Sequence, residues 1–158
     1  IFYFFNIYMN IPNYSIVVGG YIVQGNITIL NKLKRTDSIT GLDVWYKTVI
    51  KSCTYSRTKI SNVNGQVVSM GTQFTILIPF TNKYMPYYKW KELENKDAYF
   101  TLSNQDIIIL EEIKEKEITP NNIVSIRNKY SPNACEIRNI EEVENKFDTR
   151  YQFRVNGI

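Results

Sequence analysis

Histidine is absent from all 158 residues. That removes Ser-His-Asp and Cys-His catalysis, His-ligated zinc and imidazole pH switching. The chain has two cysteines, Cys53 and Cys135, too few for a disulfide framework and not spaced as a metal knuckle. The seven glycines, at 19, 20, 25, 41, 65, 71 and 157, build neither GxGxxG nor GxxxxGKS/T, so the dinucleotide and P-loop phosphate motifs are missing. Alanine occurs only at Ala98 and Ala134, whereas 22 Ile, 17 Asn and 13 Lys make up a third of the chain. Those three residues have AT-rich codons and alanine has GC-rich ones. The bias reflects an AT-rich genome, and the abundance of Asn and Lys carries little functional weight.

Charge is also scarce at the start, where the first charged residue is Lys32. A secretory signal needs a basic n-region, which this stretch lacks. A membrane span needs about 18 or more consecutive apolar residues, and Asn6, Asn10, Pro12, Asn13 and Ser15 interrupt the run. Gly19-Gly20 can be encoded by GGAGGN, a bacterial ribosome-binding sequence, and Val23 can be encoded by the alternative start codon GTG. The expectation is that translation starts at Val23, with residues 1–22 as upstream DNA or a flexible extension and 23–158 as a single β-rich domain.

What is present is a series of strand patterns. Hydrophobic residues are 44% and charged residues 22%, enough apolar material for one core. Ile27–Leu30 is a short β-type run. Asp43–Ile50 carries apolar residues on both faces, as a central strand does. Cys53–Ile60 continues as a polar strand, and Asn64-Gly65 is a turn sequence. In Thr72–Phe80, Phe74, Ile76, Ile78 and Phe80 point one way and Gln73, Thr75 and Leu77 the other, with Pro79 at the end. Residues 61–71 read as a long connection between two strands, and long loops are often functional. Ile107–Leu110 reads as a buried strand with a charged surface extension to Glu117. Thr119-Pro120 reads as a helix start, with Ile123, Ile126 and Tyr130 at helical spacing. Ala134–Val143 reads as a strand with a shift near Ile140, residues 145–148 as a turn, and Tyr151–Val155 as a final strand. The expected fold is mainly β: a small antiparallel β-barrel or sandwich with one short helix and extended loops.

Candidate chemistry is thin. Glu111, Glu112, Glu115 and Glu117 alternate with Lys114 and Lys116, and a solvated, self-neutralising edge is the plainer reading than paired catalytic carboxylates. Cys53 lies four residues from Arg57, yet without histidine a buried structural thiol is the plainer reading. No metal, cofactor or catalytic residue is assigned, and no enzyme activity is expected. Tyr84, Tyr87, Tyr88 and Trp90 lie among lysines. They could stack nucleic-acid bases, but core packing or a protein interface fits better. Lys32, Lys34, Arg35, Lys51, Arg57 and Lys59 could face a polyanion or simply solvent. The net charge of +4 and pI near 9.0 permit acidic partners without demanding them.

The strand series Asn26–Lys32, Asp43–Ile50, Thr75–Phe80, Tyr99–Leu102 and Asp106–Ile108 has a recognisable order and spacing. With Ser125-Ile126, Lys129-Tyr130 and Tyr151–Gly157 it resembles a family of small structural proteins of tailed phages infecting low-GC Gram-positive bacteria. These are encoded between the major capsid and tail-tube genes and have no individually assigned role. Two departures stand out: Tyr151 and Phe153 lie where the family often carries Trp and His, and residues 61–71 are poorer in Lys, Asp and Gly. The resemblance implies a virion neck protein that passes through the host cytoplasm during assembly. It would form a ring of six or twelve copies, most simply a head-closure (stopper) ring between the portal-bound adaptor and the tail. Its partners would be portal, adaptor and tail proteins and the packaged DNA, with no membrane. In that frame Asn62, Val63, Asn64, Gly65, Gln66, Val67 and Val68 form a channel or inter-ring loop. Lys51, Arg57 and Lys59 face DNA, and Tyr84, Tyr87, Tyr88 and Trp90 form a protein interface. The alternatives are a tail-terminator or tail-completion ring, a minor capsid or decoration protein, and a small nucleic-acid-binding barrel.

Overall fold

The computed structural model describes residues 21–64, 67–144 and 151–158. The turn expected at 145–148 and the segment 1–20 lie outside the described residues, so the proposed start is not addressed by the fold. Six antiparallel strands close into a barrel in the order β1-β2-β3-β6-β5-β4. They are β1 Tyr21–Leu33, β2 Val44–Asn64, β3 Val67–Pro79, β4 Ile107–Ile109, β5 Ala134–Glu144 and β6 Tyr151–Gly157. Closure is made by β4, which pairs with β1 through Ile29↔Ile108 and with β5 through Ile108↔Cys135. Helices α1 Tyr87–Trp90 and α2 Ile123–Lys129 lie between strands.

Two irregularities decide which side chains face inward. Between Gly25↔Cys53 and Ile27↔Ile50, β2 carries one more residue than β1, and Ser52 takes a φ of 59°. This bulge reverses the alternation, so Ile50 and Cys53, three apart, are both buried. The runs Asp43–Ile50 and Cys53–Ile60 are therefore one continuous strand. A second shift, between Ile137 and Asn139 of β5, puts Ile137 and Ile140 against the same core. It is the shift that the apolar spacing near Ile140 predicts.

The core has two parts. Inside the barrel lie Ile27, Ile29, Ile50, Phe74, Ile76, Ile78, Ile108, Ile137, Phe153 and Val155, covered by Phe100 and Leu102. Outside the wall, Leu30, Ile107 and Ile109 pack beneath Ile113, Ile118, Ile123 and Ile126. The Ile107–Ile109 run is apolar throughout because it is buried on both faces. Helix α2 begins at Ile123 with Asn122 as N-cap, later than Thr119-Pro120 predicts. The Asn122 side chain accepts from the Thr119 N–H at 2.8 Å, which folds Thr119–Asn122 into a turn ahead of the helix. The short helix α1 was not expected, since Pro86 precedes only one turn of aromatic and basic residues.

The reading of 61–71 as a loop is corrected. β2 and β3 stay paired without a register shift from Thr54↔Leu77 to Asn64↔Val67. The segment is a long hairpin whose strands are joined through residues 65–66, and Gly65 and Gln66 lie outside the described residues.

Candidate functional site: a hairpin arm beyond the barrel

The hairpin outruns its neighbours. The last β1–β2 pair is Tyr21↔Arg57, and the last β3–β6 pair is Phe74↔Gly157. Beyond them, Thr58–Asn64 and Val67–Gln73, seven residues on each strand, pair with each other. Among the described residues no other strand joins them. At about 3.4 Å per residue this arm reaches about 24 Å past the barrel wall. Asn62, Val63, Asn64, Val67 and Val68 are thus strand residues of the arm.

Of the basic residues, Arg57 and Lys59 sit at the arm's root, whereas Lys51 lies six residues before Arg57 on the barrel wall. Lys51 is exposed at the β2 bulge, and Arg57 and Lys59 are exposed two residues apart on β2. Arg57 donates from Nη1 to Asn133 Oδ1 at 2.8 Å. Together with Val23, Tyr55 and Leu110 these two line a cleft of about 200 Å³ at the barrel mouth. The cleft offers a guanidinium, an amide and a phenol, and no nucleophile beside a base.

The aromatic segment divides. Trp90 is 0% exposed and meets Tyr46 edge-on, with ring centroids 5.4 Å apart and an interplanar angle of 87°. Tyr84 packs on the barrel core with its ring 4.3 Å from that of Phe153. Tyr87 donates from its hydroxyl to Asp37 Oδ2 at 2.9 Å, and burial pushes the phenol up to about 12. Only Tyr88, 63% exposed, is offered to a partner. The interface assignment of Trp90 is therefore corrected: the indole belongs to the fold because α1 turns it onto β2.

The thiols and carboxylates hold no hidden catalyst among the described residues. Burial pushes Cys53 and Cys135 up to about 12, which keeps both as thiols. Glu115 bonds Lys129 and accepts from Tyr130 at 2.7 Å, and these partners hold its carboxyl down at about 2. No group of three metal-ligating side chains occurs among the described residues.

Sequence reasoning missed two features. One is a buried polar knot. Asp106 accepts from Asn31 Nδ2 at 2.8 Å, from the Lys32 N–H at 2.8 Å and from the Ser103 N–H at 2.9 Å. Asn31 also donates to the Thr101 carbonyl at 2.6 Å. Burial pushes the Asp106 carboxyl up to about 7, against the pull of these N–H donors. The knot ties β1 to the segment before β4. The other is the β1–β2 loop, which presents Ile39 fully to solvent and, three residues on, the mostly exposed Leu42. Asp37 anchors this loop to α1 through Lys91 at 3.0 Å as well as Tyr87, and those bonds hold its carboxyl below the usual range. Neither feature has a distinctive sequence pattern: both depend on contacts between residues far apart in the chain.

No curated protein and no solved structure matches the chain. A family model does match, over residues 22–157, which spans all six strands and both helices. The chain belongs to that family, DUF6751, a family of unknown function.

Proposed function

We propose that the protein is a structural component of a phage head–tail connector, a head-closure ring between the portal-bound adaptor and the tail that helps retain packaged DNA. The observation that carries this reading is the arm: seven residue pairs of hairpin beyond a closed barrel, free of any other strand among the described residues. A stretch of hairpin that, among the described residues, pairs only with itself is suited to contacts outside the subunit. The barrel supplies a rigid mount, and Arg57 and Lys59 at the arm's root, with Lys51 farther back on the barrel wall, place positive charge where a polyanion in a channel would pass. The sparse chemistry of the site agrees with a mechanical role. The phage-like order of strand segments supplies the location.

The arrangement suggests a division of labour. The arms would narrow the channel sterically, because between Thr58 and Gln73 the only charged residue is Lys59. DNA attraction would fall to the basic root. Counting copies per tailed particle by quantitative mass spectrometry tests the reading. Six or twelve copies are expected. Hundreds would indicate a decoration protein, and absence from particles would refute a virion role.

A further inference from the structure

The β1–β2 loop stands at the end of the barrel opposite the arm, because β2 begins at Val44, where residues 34–43 end, and finishes at Asn64 in the arm. The loop is held by its own bonds. The Asp37 N–H donates to the Lys34 carbonyl at 2.8 Å and the Gly41 N–H to the Ser38 carbonyl at 3.1 Å, so one turn follows another. Gly41, at a φ of 68°, takes the left-handed conformation that closes the second turn. The Arg35 N–H donates to Asp43 Oδ1 at 2.9 Å across the loop's base. The Lys34 N–H donates to the Tyr87 hydroxyl at 3.3 Å, which adds to the tie with α1. On this tethered backbone Ile39 is fully exposed and Leu42 is 62% exposed. An apolar tip that its own chain leaves uncovered, on a backbone already ordered, is prepared for a partner.

The charge around the tip is one-sided. Asp43 already holds Lys32 at 2.9 Å, and Asp37 holds Lys91 at 3.0 Å. Lys34, Arg35 and, on α1, Lys89 are exposed and form no ion pair among the described residues. The ammonium groups of Lys34 and Lys89 lie 5.4 and 5.8 Å from the rings of Tyr87 and Tyr88, contacts that leave their charge unneutralised. We propose that the loop is a docking plug: Ile39 and Leu42 enter an apolar pocket rimmed by carboxylates on a different protein, with Lys34 and Arg35 meeting the rim. The inference rests on the connector reading above, in which that protein is the next component along the axis. Charge complementarity selects the host. DNA phosphates would engage the cations and give Ile39 and Leu42 nothing to pack against. A second copy is a poor host, because the cleft at the other barrel mouth presents Arg57, a cation, to a cationic tip.

Site-specific photocrosslinking tests this on the full chain, within tailed particles purified from the host that carries the gene. With p-benzoylphenylalanine in place of Ile39, irradiation should join the tip to a different virion protein, identified by mass spectrometry of the linked peptides. Crosslinks only to a second copy or to DNA, or none at all, overturn the proposal and leave the ring reading standing. Two double variants test the chemistry. Ile39→Asp with Leu42→Asp removes the apolar tip, and Lys34→Glu with Arg35→Glu reverses its charge. Each should lower the copies per particle about tenfold or more. The melting temperature of the free chain should stay within a few degrees of the parent, because all four residues are exposed. Parental copy number for either folded variant overturns the proposal, and if a variant fails to fold the crosslink decides. Absence of the unsubstituted chain from particles removes the ring, and the inference with it.

Discussion

Replacing Trp90 by Ala separates fold from interface more sharply than any other single change. The indole is 0% exposed, so truncation removes a fully buried ring and leaves a cavity. Buried Trp→Ala changes cost about 3–5 kcal/mol. The edge-on contact with Tyr46 at 5.4 Å places this site toward the upper part of that range. Trp90 Nε1 has no hydrogen-bond partner, so Trp90→Phe removes an unsatisfied donor while keeping a ring. It should cost less than half as much as Trp90→Ala. Tyr88→Ala, at a mostly exposed position, should change stability by less than about 1 kcal/mol. Urea unfolding followed by tryptophan-independent far-UV dichroism is the assay. With a slope of about 2 kcal/mol/M, Trp90→Ala should lower the midpoint by about 2 M and Tyr88→Ala by under about 0.5 M. If Trp90→Ala unfolds within about 0.5 M of the parent protein, the indole is not part of the core and the reasoning fails.

The Asp106 carboxyl titrates near 7 when folded and near 4 when unfolded, so the folded state holds the extra proton between those values. That part of the stability is complete below about pH 4 and is lost as pH rises to about 7; a flat unfolding free energy across this window, after comparison with Asp106→Asn, would contradict it. Asp106→Asn should itself cost about 1–3 kcal/mol at pH 7, because an amide N–H then faces one of the three N–H donors now bonded to the carboxylate. Gly157→Ala should destabilise by about 1–3 kcal/mol in thermal or denaturant unfolding, since the new Cβ would lie 2.8 Å from Cys135 Sγ and 2.9 Å from the Glu136 carbonyl oxygen. Removing residues 61–70 and closing with Asn-Gly should leave the melting temperature within a few degrees of the parent, because the arm shares no strand pairs with the rest of the barrel among the described residues; particles carrying it should leak DNA or fail to join tails, and full infectivity would sink the arm's assigned role.

Much of the barrel is readable in the sequence because strand alternation is a local property. Phe74, Ile76 and Ile78 announce β3, and the change of spacing at Ile137 and Ile140 announces a bulge. The arm was misread because its strand residues lack that alternation. Asn62, Asn64 and Gly71 carry none of the apolar periodicity by which strands are recognised, and backbone pairing is what defines them. Trp90 was misread for the complementary reason. An aromatic beside lysines looks the same in sequence whether a one-turn helix directs it to solvent or onto β2. The Asp106 knot joins residues up to 75 positions apart, and no local pattern marks such a meeting.

The uninterrupted register of the β2–β3 hairpin also makes its length separable from the barrel pairing among the described residues. An insertion of two residues in each strand would lengthen the arm by about 7 Å and restore the same alternation of faces. It would leave the barrel's pairing with β1 and β6 untouched. A one-residue insertion in the barrel wall, by contrast, turns every later side chain inside out unless a bulge such as that at Ser52 absorbs it. Selection can therefore adjust how deep the hairpin reaches in small steps, as a dipstick is cut to its vessel, without renegotiating the fold that holds it.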